Sequence, residues 1–161
     1  MSKPTTRLAR TADLEAAAAL YDAYRQFYEK VADLPLARRF LRERFERQES
    51  VLIVAEDPAK DSAKDSGGVI VGFTQLYPFF CSVLAARTFV LYDLFVTPAA
   101  RSSGAGRALM VAAESHAREA GAARMELSTA RTNKIGQSLY ESLGWQRDEQ
   151  FLVYTKGLRD K

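Results

Sequence analysis

Dense apolar stretches and periodic ones alternate along this chain. Val69 to Tyr77 and Thr88 to Val96 are near-continuous runs of β-branched and aromatic residues and read as strands. Leu14, Ala17, Ala18, Tyr21, Tyr24, Phe27 and Tyr28 instead recur at three- and four-residue steps. That spacing predicts a helix from about Asp13 to Lys30, with Thr11 and Asp13 as capping side chains. A second helix, Leu36 to Gln48, starts after Pro35 and carries Phe40, Leu41 and Phe45 on one side against Arg and Glu on the other. Thr6 to Arg10 and Val51 to Ala55 are shorter strands, the latter closed by Glu56 and Asp57.

The punctuation between these runs is equally informative. Pro58 to Gly68 is small, polar and turn-forming, a flexible loop between hairpin strands. Pro78 is expected to end the third strand, leaving Phe79 to Ala86 unassigned. A helix from Gly106 to Ala120 stops at Gly121, Met125 to Thr129 forms another strand, and Thr132 or Asn133 caps a helix from Ile135 to Leu143 that stops at Gly144. Trp145 to Arg147 and Phe151 to Lys156 read as two final strands.

Composition narrows the class. The 161 residues, 47% hydrophobic and 27% charged, suit a single soluble domain spanning 1–161. A formal charge of +3 is compatible with an anionic ligand but too small and dispersed to point to nucleic acid. One cysteine, Cys81, and one histidine, His116, leave no internal disulfide and no Cys- or His-based metal site, which fits a reducing, cytoplasmic compartment. No stretch has the length and apolarity of a membrane span or the pattern of a signal peptide.

The chemistry concentrates after Val96. Pro98 breaks the strand, and Arg101, Ser102, Ser103, Gly104, Ala105, Gly106 and Arg107 lead into a helix, so unpaired N–H groups and the positive end of the helix dipole converge where a phosphate would sit. A nucleotide-hydrolysing loop needs Gly-Lys-Ser/Thr at its end, whereas Gly106 is followed by Arg107-Ala108. A Rossmann site fits poorly, because Leu109 fills the third small-residue position and too little chain follows for a double-wound sheet.

Val96-x-Pro98 with Arg101-x-x-Gly104-x-Gly106, followed by the run from Asn133 through Tyr140 to Gly144-Trp145, resembles the paired signatures of the GNAT superfamily of N-acetyltransferases, and its small histone and polyamine acetyltransferase branch in particular. Gly136 departs from the family's usual Ala. The resemblance implies an α/β (α+β) GNAT fold: a central mixed, mostly antiparallel twisted sheet of about seven strands with about four helices, splayed in the middle to admit acetyl-CoA. It implies acetyl transfer from acetyl-CoA to a primary amine by direct attack in a ternary complex. The acceptor is open among polyamines, lysine, aminoglycosides and small amines, and a homodimer is expected. A non-catalytic acyl-CoA-binding module on the same fold is the alternative.

Residue by residue, the resemblance places the backbone of Phe95 and Val96 on the pantetheine arm and residues Arg101 to Arg107 on the pyrophosphate. Asn133 bonds the cofactor arm or simply caps its helix. Tyr140 protonates the departing thiolate. Asp93, in mid-strand, is the candidate base or amine anchor, against the alternative of a solvated edge carboxylate, with Glu56 a weaker second. Strand alternation puts Asp93, Phe95 and Thr97 on one face. Tyr24 and Tyr28 either pack in the core or line the acceptor cleft.

Overall fold

The computed structural model describes residues 3–57 and 68–159, so most of the loop expected at Pro58 to Gly68 lies outside the described residues. The chain divides into two compact units, Met1–Ser128 and Thr129–Lys161.

The first unit is built on a five-stranded sheet in the order β1-β2-β3-β4-β5, where β1 is Thr5–Leu8, β2 Val51–Asp57, β3 Val69–Cys81, β4 Ala86–Val96 and β5 Arg124–Glu126. The first four strands pair antiparallel and β5 joins β4 parallel. Helices α1 (Leu14–Phe27) and α2 (Leu34–Glu46) follow β1, and α3 (Ala105–Glu119) follows β4. A core of Leu14, Ala17, Ala18, Leu20, Leu41, Leu52, Val54, Phe73 and Phe95 joins α1 and α2 to one face of the sheet. On the other face α3 comes so near that a Cβ on Gly72 would lie 2.8 Å from the Phe95 carbonyl oxygen and 3.3 Å from Leu109.

Two sequence expectations change. Pro78 does not end β3, which runs on to Cys81 and turns at Ser82–Ala85 into β4. The β2 ladder stops at Leu76, so Pro78 sits where β3 is paired only with β4 and its missing N–H breaks no second ladder. The helix before β2 starts at Leu34, one residue before Pro35, because Asp33 caps it by accepting from the Leu36 N–H at 3.0 Å. A clamp ties β1 to its neighbours: Arg7 donates to both Asp13 carboxylate oxygens (2.6 and 3.0 Å) and to Glu56 (2.9 Å). Glu56 is therefore an ion-pair partner of Arg7.

The second unit holds α4 (Lys134–Ser142). Gly144 closes it in the left-handed region (φ 87°), its N–H bonding the Glu141 carbonyl while the Trp145 N–H reaches Tyr140, which is why a Gly-aromatic pair ends this helix. Trp145 to Arg147 and Phe151 to Lys156 form no strand, so the described residues hold five strands and not about seven. β-branched and aromatic content favours a strand only where a ladder partner accepts it, and the described residues of this unit hold none. No helix among the described residues is long and apolar enough to cross a membrane.

Candidate active site

The register of β3 against β4 organises the site. Gln75 stands opposite Asp93 and Leu76 opposite Leu91, so Tyr92 is the extra residue of a β-bulge. The bulge swaps the faces of β4. Before it, Phe89 meets His116 of α3, ring centroids 5.8 Å apart; after it, Phe95 meets Tyr24 of α1 at 6.4 Å. Asp93 is thereby turned toward the helical side that carries the aromatic residues of α1, in agreement with the expected shared face of Asp93 and Phe95.

Asp93 is not a solvated edge carboxylate: it is 3% exposed. Gln75 Nε2 donates to its Oδ2 at 2.8 Å, and the Thr74 hydroxyl donates to its main-chain carbonyl at 2.8 Å. Burial pushes its carboxyl above the ordinary range, with the hydrogen bonds from Gln75 and Tyr24 drawing it partly back. Burial, and then the charge of Asp93, push the Tyr24 and Tyr77 hydroxyls well above their ordinary values, so both keep their protons. The result is a buried carboxylate ringed by neutral hydroxyls, its proton affinity raised by burial.

Tyr24 and Tyr28 pack edge to face, centroids 5.1 Å apart, and the Tyr24 hydroxyl donates to the carbonyl of the bulge residue Tyr92 at 3.2 Å. Tyr24 thus belongs both to the wall of the core and to the surroundings of Asp93, while Tyr28 is exposed beyond it. Tyr77 and Tyr92 add a second edge-to-face pair at 5.7 Å. Gln75 and Tyr77 were absent from the sequence-derived site. Their signal was available: two polar-tipped residues at i and i+2 inside an apolar strand share one face and need partners there.

Downstream, β4 becomes a free edge. Its ladder with β5 covers only Thr88, Phe89 and Val90, and from Leu91 to Val96 no strand among the described residues pairs on that side. Two parallel strands that part in this way leave backbone groups of Phe95 and Val96 for an extended, amide-bearing chain to bond. A 3₁₀ turn, Pro98–Ala100, leads into the loop. Ser102 (φ 65°) and Gly104 (φ 90°) are both left-handed, and the first bond of α3 runs from the Ala108 N–H to the Gly104 carbonyl at 3.0 Å. The amides of Ala105, Gly106 and Arg107 precede that bond and point out of the helix end, that of Ala105 toward Ser103 Oγ at 3.3 Å. A Cβ on Gly104 would touch nothing within 4 Å, so open space lies over the loop, and Arg101 and Arg107 are exposed beside it. This donor set suits a pyrophosphate. Arg101 also turns back, its Nε donating to the Val96 carbonyl at 3.3 Å, and so joins the loop to the strand end.

In the second unit Asn133 caps α4: Oδ1 accepts from the Gly136 N–H at 3.1 Å and Nδ2 donates to Thr129 Oγ1 at 3.0 Å. A Cβ on residue 136 would come within 2.6 Å of Asn133 Nδ2, so the glycine that departs from the family pattern is what allows the amide to lie flat over the helix start. Tyr140 lies on α4. Among the described residues no group of three or more His, Cys, Asp and Glu side chains is gathered to hold a metal ion.

The sequence model of the acetyltransferase (GNAT) family matches residues 17–145. The uncharacterised N-acetyltransferase YhfO of Bacillus subtilis (strain 168) is 43% identical over 148 residues, covering 92% of this chain and 93% of its own length. A probable acetyltransferase of known crystal structure superposes with a TM-score of 0.86 at 34% identity, covering 97% of this chain and 99% of that one. The aminoglycoside N-acetyltransferase AAC(6')-Iy, solved in complex with CoA, shares the fold at 19% identity, with a TM-score of 0.76 over 97% of this chain and 96% of that one. A strand that parts from its parallel neighbour just before a glycine-rich helix start, within so long a family match, makes this chain a member of the GNAT family, an acetyl-CoA-dependent N-acetyltransferase.

Proposed function

We propose that this chain, acting over 1–161 as one catalytic domain, transfers acetyl directly to a cationic primary amine in a ternary complex. Acceptors of the polyamine or lysine type, those of the histone and polyamine branch, are the first to test. The observation that carries the reading is the buried Asp93 carboxylate, placed two residues before Phe95 on the strand whose far edge is free. A carboxylate with raised proton affinity, hydrogen-bonded to the neutral amide of Gln75, can hold an ammonium and take its proton.

Acetyl-CoA supplies the activated acetyl group as a thioester. The free edge at Phe95 and Val96 holds the pantetheine arm, and the amides of Ser103 to Gly106, with Ser102, Arg101 and Arg107, hold the pyrophosphate. Asn133 bonds the cofactor arm through whichever amide hydrogen its cap leaves available. Asp93 Oδ accepts one proton from the acceptor ammonium, and the freed amine forms the C–N bond. As the C–S bond breaks, the nitrogen gives its second proton to solvent and the Tyr140 hydroxyl gives one to the departing sulfur, after which Asp93 loses its proton to solvent and Tyr140 regains one, for a net release of one proton. Tyr24 and Tyr28 line the acceptor side. Cys81 sits at the hairpin end of β3, paired with Ala86, and its position away from Asp93 favours direct transfer over an acyl-cysteine.

The test is acetyl-CoA turnover against a panel of amines, with product mass detection and calorimetric binding of acetyl-CoA. The expected result is acetylation of at least one primary amine. Binding without transfer to any amine refutes the catalytic reading, and absence of binding refutes the donor site.

A further inference from the structure

We infer that Gln75 is a positioning residue for acetyl transfer: clamped by Ser50, its side-chain amide holds the Asp93 carboxylate in the orientation that meets the acceptor nitrogen. The inference rests on the reading of Asp93 as base or anchor. An amide has two ends of nearly equal size, so its orientation is set by its partners. Here the Ser50 hydroxyl donates to Oε1 at 2.9 Å, which turns Nε2 inward. The two Nε2 hydrogens then go to Asp93 Oδ2 at 2.8 Å and to the Tyr77 hydroxyl oxygen at 2.9 Å. Gln75 is fully buried, and the bulge at Tyr92 is what brings Asp93 directly opposite it. Packing alone would be served as well by leucine; three satisfied bonds on one amide, one of them to the Asp93 carboxylate, serve orientation.

Tyr21 and Tyr24 face Asp93 from α1, and Tyr77 from β3, with Tyr92 beside it on β4; burial pushes the hydroxyls of Tyr21, Tyr24 and Tyr77 above their ordinary values, so these three stay neutral. Besides Asp93, charge acts on these tyrosines from Arg25 on α1, 3.6 Å from Asp22, and from Arg44 on α2, held by Glu49 at 2.5 Å and stacked on Phe40. Gln75 therefore donates the hydrogen bond to Asp93 Oδ2 that favours the ionised form of its carboxyl.

The experiment uses wild type, Gln75→Leu, Ser50→Ala and Ser50→Thr. The titration of Asp93 is followed by NMR of isotope-labelled aspartate, and kcat/KM for acetyl transfer is measured against pH with an amine found in the panel above. Loss of the Gln75 donor should move both the Asp93 titration and the acid limb of kcat/KM to higher pH and lower plateau kcat about tenfold. Ser50→Ala should move them the same way by less, and Ser50→Thr should restore them. If neither the titration nor the limb moves in Gln75→Leu, the inference is overturned. Should that variant not fold, the Ser50 pair decides by the same criterion. If the titration moves and the limb stays, the base role of Asp93 is what fails.

Discussion

Asp93→Asn should make this protein more stable and nearly inactive, and the combination is the sharpest test of the site. The substitution keeps the shape and still accepts from Gln75 Nε2, now as a neutral acceptor in a bond of 2.8 Å. Exchanging a charge-assisted bond for a neutral one costs ~1 kcal/mol. Against that stands the desolvation of a carboxylate that is 3% exposed and has hydroxyls and an amide as its partners, several kcal/mol for an ion in such a place. Because the folded carboxyl lies above its ordinary value, the folded state binds more protons than the unfolded chain between the two values. The wild-type side chain is thus stabilising at low pH, and that contribution disappears as the pH rises through the folded-state value.

The variant should melt with wild type below the ordinary carboxylate range. Above the folded-state value it should exceed wild type by roughly 1–2 kcal/mol, about 3–6 °C in Tm for a domain of this size. Turnover should fall by about 10²–10⁴ with acetyl-CoA binding retained, and the acid limb of kcat/KM should vanish. Melts by circular dichroism between pH 4 and pH 9, paired with steady-state kinetics (~ range set by the carboxylate and hydroxyl values), check both halves. A variant less stable than wild type at high pH, with turnover unchanged, would refute the argument and reduce Asp93 to a structural carboxylate.

Gly72→Ala forces a Cβ to 2.8 Å from a sheet carbonyl oxygen that cannot move independently, so a loss of about 1–3 kcal/mol is expected by chemical denaturation, with a raised KM for acetyl-CoA because Phe95, Val96 and Leu109 are the atoms displaced. Gly104→Ala meets no neighbour but must adopt φ 90°; it should cost ~1 kcal/mol and weaken acetyl-CoA binding measured by calorimetry more than it slows the bound complex. Asp13→Asn removes a carboxylate that Arg7 holds below its ordinary range. That carboxylate contributes stability above the ordinary value and loses it as pH falls through the lower folded-state value, so the variant should be weaker by ~1–3 kcal/mol at neutral pH and converge with wild type only in strong acid, as melts across pH will show. Tyr140→Phe should lower kcat while leaving acetyl-CoA affinity intact; equal turnover in variant and parent would remove the acid role.

What sequence patterning could reach was set by the range of the interactions involved. The loop at Arg101 to Arg107, the cap at Asn133 and the stop at Gly144 are local devices: each is defined by backbone groups within a few residues, and each was legible. Asp93 stands out in the sequence as a carboxylate inside an apolar strand, but the alternative of a solvated edge could be judged only in the structure, because burial depends on α1 and β3 arriving from elsewhere in the chain. Pro78 misled for the same reason: whether a proline ends a strand depends on whether a second neighbour needs its N–H, and β2 stops short of it. The strands expected after Trp145 rested on propensity alone, and propensity forms no ladder without a partner. The bulge at Tyr92 is the most instructive case. One extra residue, invisible to a period-two pattern, inverts the faces of β4, so that Phe89 packs on α3 while Asp93 turns to Gln75 and the tyrosines of α1. Without the bulge, strict alternation through Tyr92 would carry Asp93 to the α3 face with Phe89 and Leu91, away from every group that holds its carboxylate. The catalytic reading therefore hangs on a register shift.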